Sequence, residues 1–228
     1  MQNQLEIKVI GVGGVGTCLL PVLLRYLNFQ YSHSYVTLID GDSFEPRNIE
    51  RQSFNRIGNK AEVKVEELAG QFDRLELRAI PEFITPKNAR KYIYEGDIIF
   101  MGVDNHKTRK QVTNQCRKLK NVVLISGGNE LTDGNVQIYI RKNGKDLTLP
   151  LDNEDHPEIA NPEDRNPSEF GCGEIIESNP QIVLMNNLVA TEMLTCFFAY
   201  LEGNLTCDEI FFDMKRMTRR VVRNSPVV

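Results

Sequence analysis

Apolar and polar positions change period along the chain, and each change predicts an element. Residues 5–10 (LEIKVI) alternate and then turn apolar, running directly into Gly11-Val12-Gly13-Gly14-Val15-Gly16 and a helical stretch over 17–28, which reads as strand, glycine turn, helix. Pro21 removes one hydrogen bond from that helix and is expected to kink it. Residues 35–39 (YVTLI) predict a second buried strand stopped by Asp40-Gly41-Asp42. The segment 42–59 has no clean period and carries Pro46, so it reads as a structured loop, and 60–72 follows as an amphipathic helix. A short strand over 75–80, a helix over 86–94, an apolar strand over 97–103, a helix over 108–119 and a strand over 122–126 complete an alternation of strands and helices. That alternation predicts a doubly wound, mostly parallel α/β sheet of Rossmann-like type.

Beyond it, 137–141 (QIYIR) reads as a strand, and the chain then changes character. Residues 147–179 hold Pro150, Pro157, Pro162 and Pro167 among many Asp, Glu and Asn, the mark of a functional or disordered segment. A long apolar helix over 181–201 and a terminal strand over 209–222 with a basic end close the chain. We therefore expect one domain: a nucleotide-binding sheet over 1–140, a polar crossover loop over 141–180, and a C-terminal helix and strand over 181–228.

Composition narrows the class. The chain has 228 residues with 41% hydrophobic and 25% charged positions, an ordinary globular balance that excludes a disordered tail or a fibrous repeat. A net charge of −4 gives no global reason to bind nucleic acid or an anionic membrane. No uninterrupted apolar run approaches the roughly 18 residues of a membrane span, and residues 1–8 lack the features of a signal peptide, so a cytoplasmic protein is expected. The five cysteines, Cys18, Cys116, Cys172, Cys196 and Cys207, are scattered and form no C-x-x-C pair, which argues against a disulfide framework or a structural zinc.

The chemistry sits in the glycine turn and after it. Gly11, Gly13 and Gly16 form G-x-G-x-x-G between a strand and a helix, where backbone N–H groups approach a phosphate and the helix N-terminus adds positive potential. Asp40 stands where a carboxylate accepts from ribose hydroxyls, or is a strand-end turn residue. A nicotinamide or flavin enzyme fits these features equally well, but explains neither Asn48, Arg51 and Gln52, nor Lys60, nor Asp104, Asn105 and Arg109. An ATP site needs such residues, because side-chain cations must neutralise the triphosphate and a carboxylate must hold magnesium. Asp104 could also cap the helix after it without losing that role, and Arg109 could be structural.

Taken together, Gly11 to Gly16 with Gly14, Asp40 with Asp42, Asn48-x-x-Arg51-Gln52, Lys60, and Asp104-Asn105 with Arg109 make the chain resemble the ubiquitin-activating-enzyme-like proteins, including ThiF, MoeB and HesA. The resemblance covers about residues 5–130 well. It implies ATP and Mg²⁺ as cofactors, Asp40 on the ribose, Asn48 and Arg51 on the phosphates, Lys60 on the phosphates during transfer, and Asp104 as the magnesium ligand. Lys60 follows Arg51 sooner than the family usually shows, so Lys64, one turn on, competes for its role. The family's bacterial members usually begin with a helix that lends an arginine to the partner's ATP, whereas this sequence starts at its first strand.

Cys172, between two glycines in EFGCGE, stands where family members can carry the activated carboxylate as a thioester. The resemblance thus implies adenylation of the C-terminal carboxylate of a ubiquitin-like or sulfur-carrier protein by a homodimer, possible thioester formation on Cys172 being part of that reading. The alternatives are the same chemistry on a small molecule or a modified tRNA base, and a non-catalytic partner subunit. Lys215, Arg216, Arg219, Arg220 and Arg223 form a basic terminal cluster, either a solvated strand face or a surface for an acidic partner.

Overall fold

The computed structural model describes residues 4–169 and 182–223. Its first half is built from β1 (Glu6–Ile10), α1 (Gly14–Gln30), β2 (Tyr35–Ile39), β3 (Ser43–Phe44), a 3₁₀ turn at Pro46–Asn48, β4 (Gly58–Asn59), α2 (Lys60–Ala69), β5 (Glu76–Ile80), α3 (Ala89–Tyr92), β6 (Ile98–Met101), α4 (His106–Cys116) and β7 (Val122–Asn129). There follow β8 (Asp133–Lys142), β9 (Lys145–Asp146), α5 (Pro157–Ala160), a 3₁₀ turn at Pro167–Glu169, α6 (Val183–Leu201), β10 (Glu209–Asp213) and β11 (Thr218–Val222).

The main sheet runs β11-β10-β8-β7-β6-β1-β2-β5, with β9 on β8. Five strands from β5 to β7 are parallel, and β8, β10 and β11 add antiparallel to them. Period-2 alternation divides the core. Ile98 and Phe100, Val123 and Ile125, and Val136 and Ile138 face α1, α2 and α6, whereas Ile99 and Met101, Val122 and Leu124, and Tyr139 face α3, α4 and α5.

Three elements differ from expectation. The terminal strand is a hairpin, β10 turning at 214–217 into β11, and the turn carries neither glycine nor proline to announce it. The helix expected over 86–94 is the single turn α3. The 42–59 loop contains the small antiparallel pair β3–β4. α1 runs unbroken past the exposed Pro21. Among the described residues α6 is long and apolar enough to cross a membrane, which counting uninterrupted apolar runs overlooks, yet it packs on α1, β7 and β8 as a core helix.

Strand order positions the site. The chain leaves β1 toward β2 on one side and returns at β6 on the other, so the carboxyl end of β1 is a topological switch point, where open α/β sheets bind ligands. Ile10 is in register with both Ile39 and Met101, so Gly11, Asp40 and Gly102 emerge together at that edge.

Candidate nucleotide-binding site

Gly11 leaves β1 at φ +89°, and a Cβ there would lie 2.8 Å from the Gly102 carbonyl oxygen, so both the backbone conformation and the close approach demand glycine. Gly16, in the first turn of α1, closes on the Gly11 carbonyl, where a Cβ would come to 2.3 Å. Gly13 faces open space, the nearest atom to a Cβ being Gln52 Nε2 at 3.9 Å. Gly14 abuts α6: a Cβ would meet Asn186 Nδ2 at 2.3 Å.

The two helices that start at this edge differ in how their N-termini are satisfied. α1 begins at Gly13 with no side-chain cap and no acidic residue in its first turn. α4 is capped twice: the Asn105 carboxamide oxygen accepts from Thr108 N at 2.8 Å, and the Asp164 carboxylate accepts from His106 N and, at 3.0 Å, from Lys107 N. Asn105, not Asp104, is therefore the cap of α4. Orphan N–H groups and an unneutralised helix dipole remain at α1, beside the open space at Gly13, which suits a phosphate.

Asp40 fastens the turn. Its Oδ2 accepts from Val12 N at 2.6 Å and its Oδ1 from Asp42 N at 2.9 Å, while burial pushes its carboxyl up against the opposing pull of Lys60 and these N–H bonds. Asp42 in turn holds Lys60, whose Nζ lies 2.6 Å from Asp42 Oδ2. Asn48 is buried in a reciprocal capping box with Glu45, and accepts from Glu45 N at 2.9 Å. Gln52 is buried, and its Oε1 has no hydrogen-bond partner among the described residues.

Asp40, Asp42, Asn48, Gln52 and Lys60 line one cavity of about 960 Å³, together with Gly11, Gly13, Gly14, Arg51, Asp104, Asn105 and Arg109. Lys60 and Lys64 part company here. Lys60 borders the cavity, whereas Lys64, 1% exposed, turns into the protein, pairs with Glu67 at 2.9 Å and donates to the Ser53 carbonyl at 3.2 Å. Arg109 is buried, its guanidinium donating to the carbonyls of Val103 and Gly127, and so ties the start of α4 to β7. Burial pulls its pKa below the ordinary arginine range. Asp104 is exposed on the cavity wall. Cys172 lies outside the described residues.

The chain belongs to the ThiF family. The family profile matches residues 2–226, nearly the whole sequence. The chain is also 32% identical over 155 residues to the tRNA threonylcarbamoyladenosine dehydratase of Haemophilus influenzae, an alignment covering 65% of this chain and 57% of that protein. Among solved structures, E. coli MccB with ATP superposes at a TM-score of 0.72, with 18% identity over 98% of this chain and 64% of that one. PaaA superposes at a TM-score of 0.69, with 16% identity over 98% of this chain and 65% of that one. At such identities these two likenesses are ones of fold alone, an α/β Rossmann-like fold with a largely parallel central sheet. The chain spans somewhat under two thirds of the length of these relatives.

The far wall of the cavity holds residues that sequence reading did not single out. His156, 7% exposed, sits between two carboxylates, its Nε2 2.9 Å from Glu209 Oε2 and its Nδ1 2.9 Å from Glu158 Oε1. Burial opposes the charged ring, but the two carboxylates outweigh it and hold the pKa above the usual histidine value. Asn135 donates to Glu209 Oε1 at 2.6 Å and completes the network. No local signal reveals this cluster, because His156 and Glu209 are 53 positions apart. No group of three or more His, Cys, Asp or Glu poised for a metal ion occurs among the described residues.

Proposed function

We propose that this ThiF-family chain uses ATP to adenylate a carboxylate carried on a modified nucleoside of tRNA. The observation that carries the reading is the 32% identity to a tRNA threonylcarbamoyladenosine dehydratase, together with a cavity that pairs an uncapped glycine turn with cationic side chains. The substrate carboxylate would attack the α-phosphorus of ATP. A P–O bond forms to the carboxylate, the bond to the bridging oxygen breaks, and pyrophosphate leaves. The carboxylate is a poor nucleophile repelled by the triphosphate, so charge neutralisation dominates the barrier.

Each residue has a task in this scheme. The N–H groups of Gly13, Gly14 and Val15 receive phosphate oxygens, Asp40 holds the turn in shape and offers its remaining lone pairs to the ribose, and Asn48, Arg51 and Gln52 border the phosphates. Lys60, kept in place by Asp42, balances charge on the departing pyrophosphate. A single exposed carboxylate at Asp104 fits Mg²⁺, which usually takes one or two protein carboxylates and completes its shell with phosphate oxygens and water. Bound there, Mg²⁺ would supply further neutralisation of the phosphate charge.

ATP–pyrophosphate exchange tests the reading. Wild-type protein should exchange only when cell-derived tRNA is added, and Asp104→Ala should abolish the exchange. Exchange that depends instead on a small protein ending in Gly-Gly would favour activation of a ubiquitin-like or sulfur-carrier tail, and a thiol-sensitive adduct lost in Cys172→Ala would then report its transfer to the cysteine. We also propose that two copies pair through the outward faces of α1 and α6, where Val22, Phe29, Leu184 and Phe198 are all more than half exposed.

A further inference from the structure

The cavity has a second end whose chemistry differs from the phosphate end. β10 reads EIFFD: Ile210 and Phe212 point into the core, while Phe211 faces the opposite side of the sheet, lines the cavity and is 39% exposed. In register with it across the antiparallel ladders stand Asn135 on β8 and Arg220 on β11, so the three side chains form one row on the cavity face. Within the basic hairpin the charges are not equivalent. Arg219 points to the other face and is held by Glu192 at 2.8 Å, and Arg216 pairs with Asp213 at 3.2 Å, whereas exposed Arg220 has no ion-pair partner among the described residues.

We infer that the row Asn135–Phe211–Arg220 is the acceptor subsite, a platform on which a nucleobase of the RNA substrate stacks while its carboxylate reaches the α-phosphate. This deepens, and rests on, the tRNA reading above. An exposed aromatic ring beside an unpaired guanidinium is the combination that binds a base face and a neighbouring phosphate. Asn135 contributes a hydrogen-bonding group of fixed sense: Glu209 can only accept, so the Asn135 amino group faces Glu209 and its carbonyl oxygen is left for a donor such as an exocyclic amine. Every residue of β10 is paired on both sides, with β8 and with β11, so at Phe211 the backbone has nothing to offer a ligand and only side chains are available.

The chain contains no tryptophan, so Phe211→Trp places a single indole on the platform. On titration with bulk tRNA its fluorescence should be quenched, and its affinity should match the wild type. Phe211→Leu, which keeps apolar bulk but removes the ring, should weaken tRNA binding about tenfold or more, and Arg220→Gln should weaken it with a shallower salt dependence. If tRNA binds to Phe211→Trp without altering its emission, or to Phe211→Leu as to wild type, the platform is wrong while the tRNA reading stands. If wild-type protein binds no tRNA and exchanges pyrophosphate only with a small protein, the parent reading fails and the platform with it.

Discussion

At the scale of the residue, the site separates two lysines that counting cannot. Lys60 and Lys64 are one helical turn apart on α2, and either satisfies the motif in the sequence. Their tertiary partners differ: Lys60 meets Asp42 at the cavity, and Lys64 meets Glu67 and the Ser53 carbonyl in the interior. Lys60→Ala should therefore lose most exchange activity with little change in stability. Lys64→Ala should cost about 3–5 kcal/mol, because it strands a largely buried carboxylate, and urea denaturation beside the exchange assay reads the two effects separately. Equal effects of the two substitutions on both measurements would overturn this division. The motif residues were legible because each is fixed in kind by local chemistry. Arg109 was legible as a motif position, but the choice between a site role and a structural one was not, because its partners Val103 O and Gly127 O become visible only when β6, α4 and β7 are assembled.

Elements are coupled at the site through contacts that no periodicity shows. Asn186, fully buried on α6, donates to the Arg51 carbonyl at 3.4 Å, accepts from Asn129 at 3.1 Å and fills the space beside Gly14. Gly14→Ala should destabilise the protein by about 1–3 kcal/mol through overpacking. With Asn186→Ala added, the loss should be smaller than the sum of the two single losses, and a double-mutant cycle in urea measures the coupling. The His156 cluster joins α5 to β10 in the same way. Its ring is held protonated in the fold above the ordinary histidine pKa of about 6.5, so its contribution to stability is complete below that pH and is lost as pH rises through the raised value. Unfolding free energies taken from pH 6 to 9 should show this decline, and His156→Gln should flatten it. Strong periods made β1, β2, β6, α2 and α4 readable, whereas the β10–β11 turn was not, since Met214 to Met217 carry none of the residues that usually mark a reversal.

At the scale of the whole molecule, the alternation of the first half announced the parallel sheet and its switch point, while the antiparallel extension joins two hairpins, β7–β8 and β10–β11, through the β8–β10 pairing, whose partners are distant in sequence. That extension is what makes the cavity long, carrying its wall from the glycine turn to Phe211. If two copies pair through α1 and α6, Phe198→Glu should convert the dimer to a monomer, as read by light scattering on a sizing column. α6 also has a consequence for synthesis. It follows every strand it covers except β10 and β11 in chain order, and it covers the β7 and β8 face and the side of α1, so a nascent chain shows the ribosome's surroundings the apolar rows of Val123, Ile125, Val136 and Ile138 until residue 201 has cleared the exit tunnel. A chain interrupted before Val183 would carry a finished nucleotide turn on an uncovered sheet, making it a substrate for holdase chaperones and a seed for aggregation.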